Sequence, residues 1–191
     1  MRGTKRYTVQ TLKKKEKVDD PYAMSKHTPK GVGICQGCHA VYHNKRWSLP
    51  KRSTKSSSPR SDRSLKGAGN PVVIPQQLTC PACQKLRDGY AEGFVSLHWP
   101  NWPMHKAEIL GLVHNEEKRA CQINPLERIM TIRTRPDGAD IETTTGTMAQ
   151  RLGKHLQNAF KGSITYKWSH KDKLARIDWT GPRQRRASRK K

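Results

Sequence analysis

Two cysteine pairs of identical spacing are the residues in this sequence best suited to hold a metal ion. Cys35 and Cys38 stand in "CQGC", and Cys80 and Cys83 stand in "CPAC". Each short turn brings two sulfurs together, and two such turns supply the four thiolates of a tetrahedral Zn²⁺ site. Four protein ligands leave no open coordination position. The pattern therefore predicts a structural zinc ion rather than a catalytic one.

Other uses of these cysteines are weaker alternatives. Disulfides are rare in cytosolic proteins, and a redox dithiol needs one pair beside a strand–helix unit rather than two pairs. The 41 residues between the pairs exceed the usual spacing, but a flexible loop can bridge them because closure entropy grows slowly with length. His39 and His43 are weaker ligand candidates. The unpaired Cys121 is expected to be a small buried hydrophobic side chain at a helix end.

The charge of the chain indicates a polyanionic partner. The 191 residues include 38 Lys/Arg and 15 Asp/Glu, a formal net charge of +23 with a pI of about 10.3. Residues 1–30, 31–79 and 181–191 supply 19 of these charges. Purely solubilising tails are the alternative, but such tails need not share one sign.

The sequence lacks the signals of a membrane, secreted or catalytic protein. No apolar run is long enough to cross a bilayer, and no secretory signal precedes the cysteines. No phosphate-binding glycine loop is present, and Glu116 and Glu117 beside Lys118 are typical of a solvated helix face. The expectation is therefore a soluble cytoplasmic protein that is not an enzyme.

The composition divides the chain into four parts, because only 33% of the residues are hydrophobic. Residues 1–30 and 181–191 are expected to be disordered basic tails. Residues 31–100 are predicted to form a zinc ribbon, interrupted by a flexible basic loop over residues 50–77. Residues 101–180 are predicted to form a small α+β domain.

The predicted α+β domain has the element order α-β-β-α-β-β. The first helix covers residues 104–121, and two strands then flank the turn "PDG". The second helix, "TMAQRLGKHLQNAFKG", repeats apolar residues every four positions at Met148, Leu152, Leu156 and Phe160. The strands "SITYKWS" and "LARIDW" follow around a tight turn at residues 170–173, which indicates an α+β sandwich.

Basic and aromatic residues near the cysteines and in the basic segments are the predicted nucleic-acid contacts. Cationic groups bind phosphates, and exposed indoles stack on unpaired bases. Trp168 and Trp179 are instead expected to pack in a core, and Trp99 and Trp102 fit either role. The candidates are Lys45, Arg46, Trp47, Lys51, Arg52, Arg60, Arg63, Lys66, Trp99, Trp102, Arg183, Arg185 and Arg186.

The knuckles "CQGC" and "CPAC", followed by "TTTGTMAQRLGKHLQNAFKGSITYKWSHKDKLARIDW", resemble the N-terminal region of the large-subunit ribosomal export adaptor family of archaea and eukaryotes. The similarity covers residues 33–180 and makes this chain look like a short bacterial-type relative. It implies that the four cysteines bind zinc and that the zinc region docks on large-subunit ribosomal RNA. The family carries more than one cysteine cluster and later domains with the export signal, which this sequence lacks, so export itself is not implied.

The sequence therefore predicts a zinc-stabilised protein that binds RNA, ribosomal RNA or a ribosomal subunit. Its role would be in assembly, quality control or dormancy of the ribosome, by binding rather than by catalysis. Three alternatives stay open: a DNA-binding regulator, a metal-dependent nuclease and a protein–protein adaptor with merely solubilising tails.

Overall fold

The computed structural model describes residues 21–22, 31–50, 75–169 and 174–182, which contain nine strands and three helices. They form two units, each with its own sheet. The smaller unit contains β1 (Gly33–Cys35), β2 (Val41–His43), β3 (Arg46–Ser48), β4 (Gln76–Leu78) and α1 (Pro81–Asp88). The larger unit contains β5 (Gly93–His98), α2 (Trp102–Ile123), β6 (Ile129–Arg135), β7 (Gly138–Thr143), α3 (Gly146–Phe160), β8 (Ser163–Ser169) and β9 (Leu174–Thr180).

The smaller unit is a four-stranded sheet in the order β3-β2-β1-β4. Strands β2 and β3 form a hairpin whose two turn residues, Asn44 and Lys45, have φ angles of 48° and 62°. Two positive φ angles are typical of a type I′ turn, whose twist matches that of the flanking strands. Strand β4 pairs in parallel with β1, so the chain returns to the first cysteine pair just before it reaches the second.

The larger unit is a five-stranded sheet in the order β6-β7-β5-β9-β8, with β5 parallel to β9 and the other neighbours antiparallel. Helix α3 packs on one face against β5, β7 and β9, and α2 packs against α3. Alternate residues of the central strands point to this face. Val95, Leu97, Ile141, Ile177 and Trp179 therefore lie in the core beneath the helices.

Helix α3 has the sequence features that its position requires. The Thr145 side chain caps the first turn by accepting a hydrogen bond from the Met148 N–H. Leu152 and Leu156 are fully buried, as the four-residue repeat predicts. Gly153 lets the helix approach the sheet closely, since a Cβ there would lie 2.8 Å from methyl groups of Ile164 and Ile177.

The units meet around α1 and the segment before β6. The Lys85 ammonium lies 2.5 Å from Glu92 and donates a hydrogen bond to the Thr144 carbonyl at 3.1 Å. Leu126 packs against the hydrophobic cluster of the smaller unit. The contact is thus partly a buried ion pair and partly apolar.

Two expected boundaries differ from the observed ones. Strand β5 was expected in the zinc ribbon that ends at residue 100, but it is the central strand of the larger sheet. The larger unit therefore has the order β-α-β-β-α-β-β. Gln76 and Gln77 belong to the expected flexible loop, yet they form β4 together with Leu78. The expected tails, the rest of that loop and the turn at 170–173 lie outside the described residues, apart from Pro21, Tyr22, Pro50, Pro75, Gly181 and Pro182.

Candidate functional site

The sulfur atoms of the four predicted ligands converge on one point. The Sγ atoms of Cys35, Cys38, Cys80 and Cys83 all lie within 4.8 Å of one another, and those of Cys38 and Cys80 are 3.6 Å apart. In a tetrahedral site with metal–sulfur distances of about 2.3 Å, the sulfurs are about 3.8 Å apart. None of the four is in a disulfide. The arrangement therefore fits a metal ion held by four thiolates.

Local backbone structure positions each pair. Cys35 ends β1, and the following turn closes through hydrogen bonds from the His39 N–H to the Cys35 carbonyl and from the Cys35 N–H to the Ala40 carbonyl, both 2.8 Å. Cys80 is the N-cap of α1, where its Sγ accepts a hydrogen bond from the Cys83 N–H. The pairing of β1 with β4 then brings the two turns together. This pairing accounts for the long separation in sequence.

Hydrogen bonds and burial distribute charge unevenly over the sulfurs. Burial raises the pKa of Cys35, but backbone N–H groups of Cys80, Cys38 and Gly37 stabilise its thiolate more strongly and lower the pKa to about 6. Burial raises the pKa of Cys83 to about 11 and that of Cys80 well above its usual range. A bound divalent cation would favour the thiolate form of every one of them.

Arg128 of the larger unit completes the electrostatics of this cluster. Its Nη1 lies 3.8 Å from the Cys83 sulfur, while its Nε donates to the Pro125 carbonyl at 2.8 Å. Burial lowers the pKa of Arg128, but the hydrogen bond and negative charge of Cys38, together with neighbouring thiolates, raise it above its usual range. A fixed positive charge beside the cluster offsets part of the excess negative charge of four thiolates around a divalent ion.

The donor set determines what the centre can do chemically. Four sulfur ligands close the coordination sphere, so a metal bound there cannot activate a water molecule or a substrate. His39 and His43 are exposed and do not belong to the cluster. Cys121 is half-buried and donates to the Glu127 carbonyl at 3.1 Å rather than to the centre. The site is therefore suited to a structural metal.

The hairpin tip of the smaller unit presents two of the predicted nucleic-acid contacts. Lys45 and Arg46 are both exposed, and His43 and Asn44 beside them are exposed as well. In the described part of the chain, no acidic side chain pairs with either cation. This tip can therefore reach a phosphate backbone without first breaking an ion pair.

Three tryptophans that were predicted to contact nucleic acid expose little of their rings. Trp47, Trp99 and Trp102 are buried, with exposed fractions of 9%, 6% and 2%. Trp99 stacks on His105 and meets Trp179 edge-on, so its ring is already covered. Residues Lys51, Arg52, Arg60, Arg63, Lys66, Arg183, Arg185 and Arg186 lie outside the described residues.

Sequence reasoning missed a pair of exposed aromatic side chains on β8. Trp179 is buried as expected, but Trp168 is 46% exposed and Tyr166 is 41% exposed. Side chains alternate between the two faces of a strand, and this alternation places Tyr166 and Trp168 on the face that carries the core residues. The sequence pattern therefore predicts that both are buried. Only the sheet order shows that β8 is an edge strand.

Comparisons with known proteins assign no family to the chain. Neither a scan against protein-family models nor a search of the curated proteins finds a match. Among the described residues, none of the helices combines the length and the apolar character needed to span a membrane.

Proposed function

We propose that this chain is a zinc-stabilised RNA-binding protein that associates with ribosomal RNA or a ribosomal subunit and acts by binding rather than by catalysis. The proposal has two parts, a zinc-dependent platform and a cationic surface on it. Each part has its own support and its own test.

Zinc is the metal that the ligand set favours. All four donors are thiolates, and a closed tetrahedral S₄ site is typical of structural zinc. The smaller unit needs such an ion, because its buried hydrophobic residues are few: Cys35, Ala40, Tyr42, Trp47, Cys80 and Ala82. Elemental analysis of the purified protein tests the metal directly. One zinc per chain is expected, and iron or no metal would contradict this part.

The observation that carries the RNA-binding part is the distribution of charge. The described residues contain 15 Lys/Arg and 10 Asp/Glu, so they carry only +5 of the total of +23. Residues 31–50 contain Lys45 and Arg46 and no acidic residue. Most of the remaining positive charge lies in three segments: residues 1–30 precede the smaller unit, residues 51–74 interrupt it, and residues 183–191 follow the larger unit. A phosphate polymer is the partner that such an acid-free surface attracts most strongly.

The larger unit contrasts with this surface. On the sheet face away from the helices, Arg133 pairs with Glu142 at 3.4 Å, and Lys167 pairs with Asp178 at 3.0 Å. These cations are already neutralised within the protein. The zinc-containing unit is therefore the better candidate for the phosphate contacts, which agrees with the resemblance of its cysteine knuckles to a zinc region that docks on ribosomal RNA.

Salt dependence of binding tests the electrostatic part. The affinity for a labelled ribosomal RNA fragment should fall linearly on a log–log plot against salt concentration, with a slope of about −0.7 to −0.9 for each phosphate contact. The Lys45→Ala/Arg46→Ala variant should have a less negative slope, and the difference should correspond to the loss of one to two phosphate contacts. Arg133→Ala is the matched control and should leave it unchanged, because Arg133 is paired with Glu142.

Competing substrates separate this proposal from other functions. Stronger binding to duplex DNA than to the RNA fragment would indicate a DNA-binding regulator instead. Cleavage of the RNA that stops with EDTA would indicate a metal-dependent nuclease. Crosslinking in cells followed by sequencing of the attached nucleic acid tests the ribosomal partner, and absence of ribosomal RNA from the crosslinked fraction would refute it.

A further inference from the structure

Tyr166 and Trp168 stand two residues apart on β8 and expose large aromatic rings that belong to neither core. We propose that they form a stacking site for unpaired bases of single-stranded RNA. This inference rests on the proposed function and deepens it, because it adds base contacts on the larger unit to the phosphate contacts on the smaller one.

The sheet order explains why these rings are exposed. Tyr166 lies opposite Ile177 and Trp168 opposite Ala175, so both point to the face that carries the helices. Strand β8 is the outermost strand of the sheet, however. Of Ile164, Tyr166 and Trp168, which point to the same face, only Ile164 packs against the core. A hydrophobic strand that ends a sheet in this way is left with an uncovered aromatic surface.

The spacing of the two rings suits a base. Side chains two residues apart on a strand are separated by about 7 Å, which allows a flat ring between them with a van der Waals contact of about 3.5 Å on each side. Among the described residues, Tyr166 and Trp168 form no ring contact with each other or with another aromatic side chain. The exposed part of each ring, 41% of Tyr166 and 46% of Trp168, is therefore available to a ligand.

The polar atoms of these side chains also differ from those of the core tryptophans. Trp99 Nε1 donates to the Pro182 carbonyl at 3.2 Å, and Trp179 Nε1 donates to the Lys161 carbonyl at 2.9 Å. Within the described residues, the Trp168 indole N–H and the Tyr166 hydroxyl have no such partner. A nucleobase or ribose offers acceptors for both groups, in addition to a π face.

Charge favours RNA over a second copy of the chain as the occupant. Residues 143–169, which include α3 and β8, contain four Lys/Arg and no Asp/Glu. Arg151 and Lys167 pair with carboxylates elsewhere in the fold, which leaves Lys154 and Lys161 without a paired acid among the described residues. Lys154 on α3 is exposed and makes no ion pair in the described part of the chain. Joining two chains of charge +23 along this edge would bring like charges together, whereas an RNA strand would neutralise them.

Binding to a labelled single-stranded oligouridylate tests the inference on the full-length chain. Tyr166→Ala and Trp168→Ala should each weaken the affinity about tenfold, in line with the usual contribution of one aromatic ring to base stacking. Trp168→Phe keeps a stacking ring and should retain most of the affinity. Thr165→Ala is the matched control, because Thr165 is exposed on the same strand but points to the opposite face.

A double-stranded RNA of the same length and charge is the second probe. Its bases are paired, so its affinity should not change in the aromatic variants. Oligouridylate binding that is equal in wild type and the Tyr166→Ala/Trp168→Ala variant would overturn the stacking site while leaving the proposed function intact. Wild-type protein that binds neither RNA would overturn both.

Size-exclusion chromatography with light scattering addresses the competing occupant. If the wild type is a dimer and the double aromatic variant is a monomer with unchanged RNA affinity, the exposed rings form an interface between copies and the inference is wrong. An unchanged mass together with weakened oligouridylate binding supports it.

Discussion

The two units of this protein achieve a stable fold by different means. In the described residues, the core of the larger unit contains sixteen buried hydrophobic residues, whereas the cluster of the smaller unit contains six. Two of those six, Cys35 and Cys80, belong to the sulfur cluster that could hold a metal ion. Apolar burial of about 25 cal/mol per Å² can stabilise the larger unit by itself. The smaller unit lacks that area, and a metal ion bound by its four cysteines would supply the missing stabilisation.

The units also differ in whether their cationic side chains are paired with carboxylates. The larger unit pairs many of its cations with carboxylates, while Lys45 and Arg46 of the smaller unit have no acidic partner among the described residues. If a metal ion stabilises the smaller unit, that unit can be small and can leave its cations without acidic partners.

Removal of the metal should unfold one unit and spare the other. In the Cys35→Ser/Cys80→Ser variant, the metal content should fall to zero, and the smaller unit should lose stabilisation on the order of 10 kcal/mol. Hydrogen exchange followed by mass spectrometry should show lost protection at residues 33–48 and retained protection in β5, β7 and β9. Cys121→Ser is the control and should keep the metal. Loss of protection in both units would show that they fold as one.

Substitution of two tryptophans on adjacent strands should have very different effects on stability, because one tryptophan is buried and the other is exposed. Trp179→Ala should cost about 3–5 kcal/mol in the free energy of unfolding, because it leaves a large cavity beside Trp99 and Phe160. Trp168→Ala should cost less than about 1 kcal/mol, because nearly half of its surface is already in contact with water. Urea denaturation measures both values, and equal costs would contradict the assigned burial.

The contact between the units should depend on Lys85. In Lys85→Ala, the buried Glu92 carboxylate loses its partner and the Thr144 carbonyl loses a donor, at a cost of about 3 kcal/mol. Arg87→Ala removes an exposed cation from the same helix and should leave the thermal midpoint unchanged. If the two variants melt at the same temperature, the buried pair contributes nothing to the contact.

The smallest effect should be on metal affinity. Arg128→Ala removes the guanidinium beside the Cys83 sulfur and should weaken metal binding by about 10- to 100-fold without changing the number of ions bound. Competition with a coloured chelator measures the affinity. Arg133, five residues further along the chain, is paired with Glu142, and Arg133→Ala should bind the metal as the wild type does. Unchanged metal affinity in Arg128→Ala would show that the larger unit does not contribute to metal binding.

Much of the local structure was predictable from the sequence. The helix of residues 104–121 is observed at Trp102–Ile123, and the second predicted helix is observed at Gly146–Phe160. The strand "SITYKWS" is observed at Ser163–Ser169. These elements follow from hydrophobic period, capping residues and turn residues, which act over a few positions. The cysteine spacing likewise identified the members of the sulfur cluster, whereas zinc and RNA binding stay predictions.

What the sequence determined by itself was the chemistry available: four thiolates in two turns, a large excess of cations and the elements between them. Only the tertiary structure decided that β5 is the central strand of the larger sheet, that Trp99 and Trp102 are buried, and that Trp168 is exposed at the edge. The physical reason is range. Strand neighbours such as β5 and β9 are about 80 residues apart in the chain, and burial of a side chain depends on which strand lies beside it, which no local pattern records.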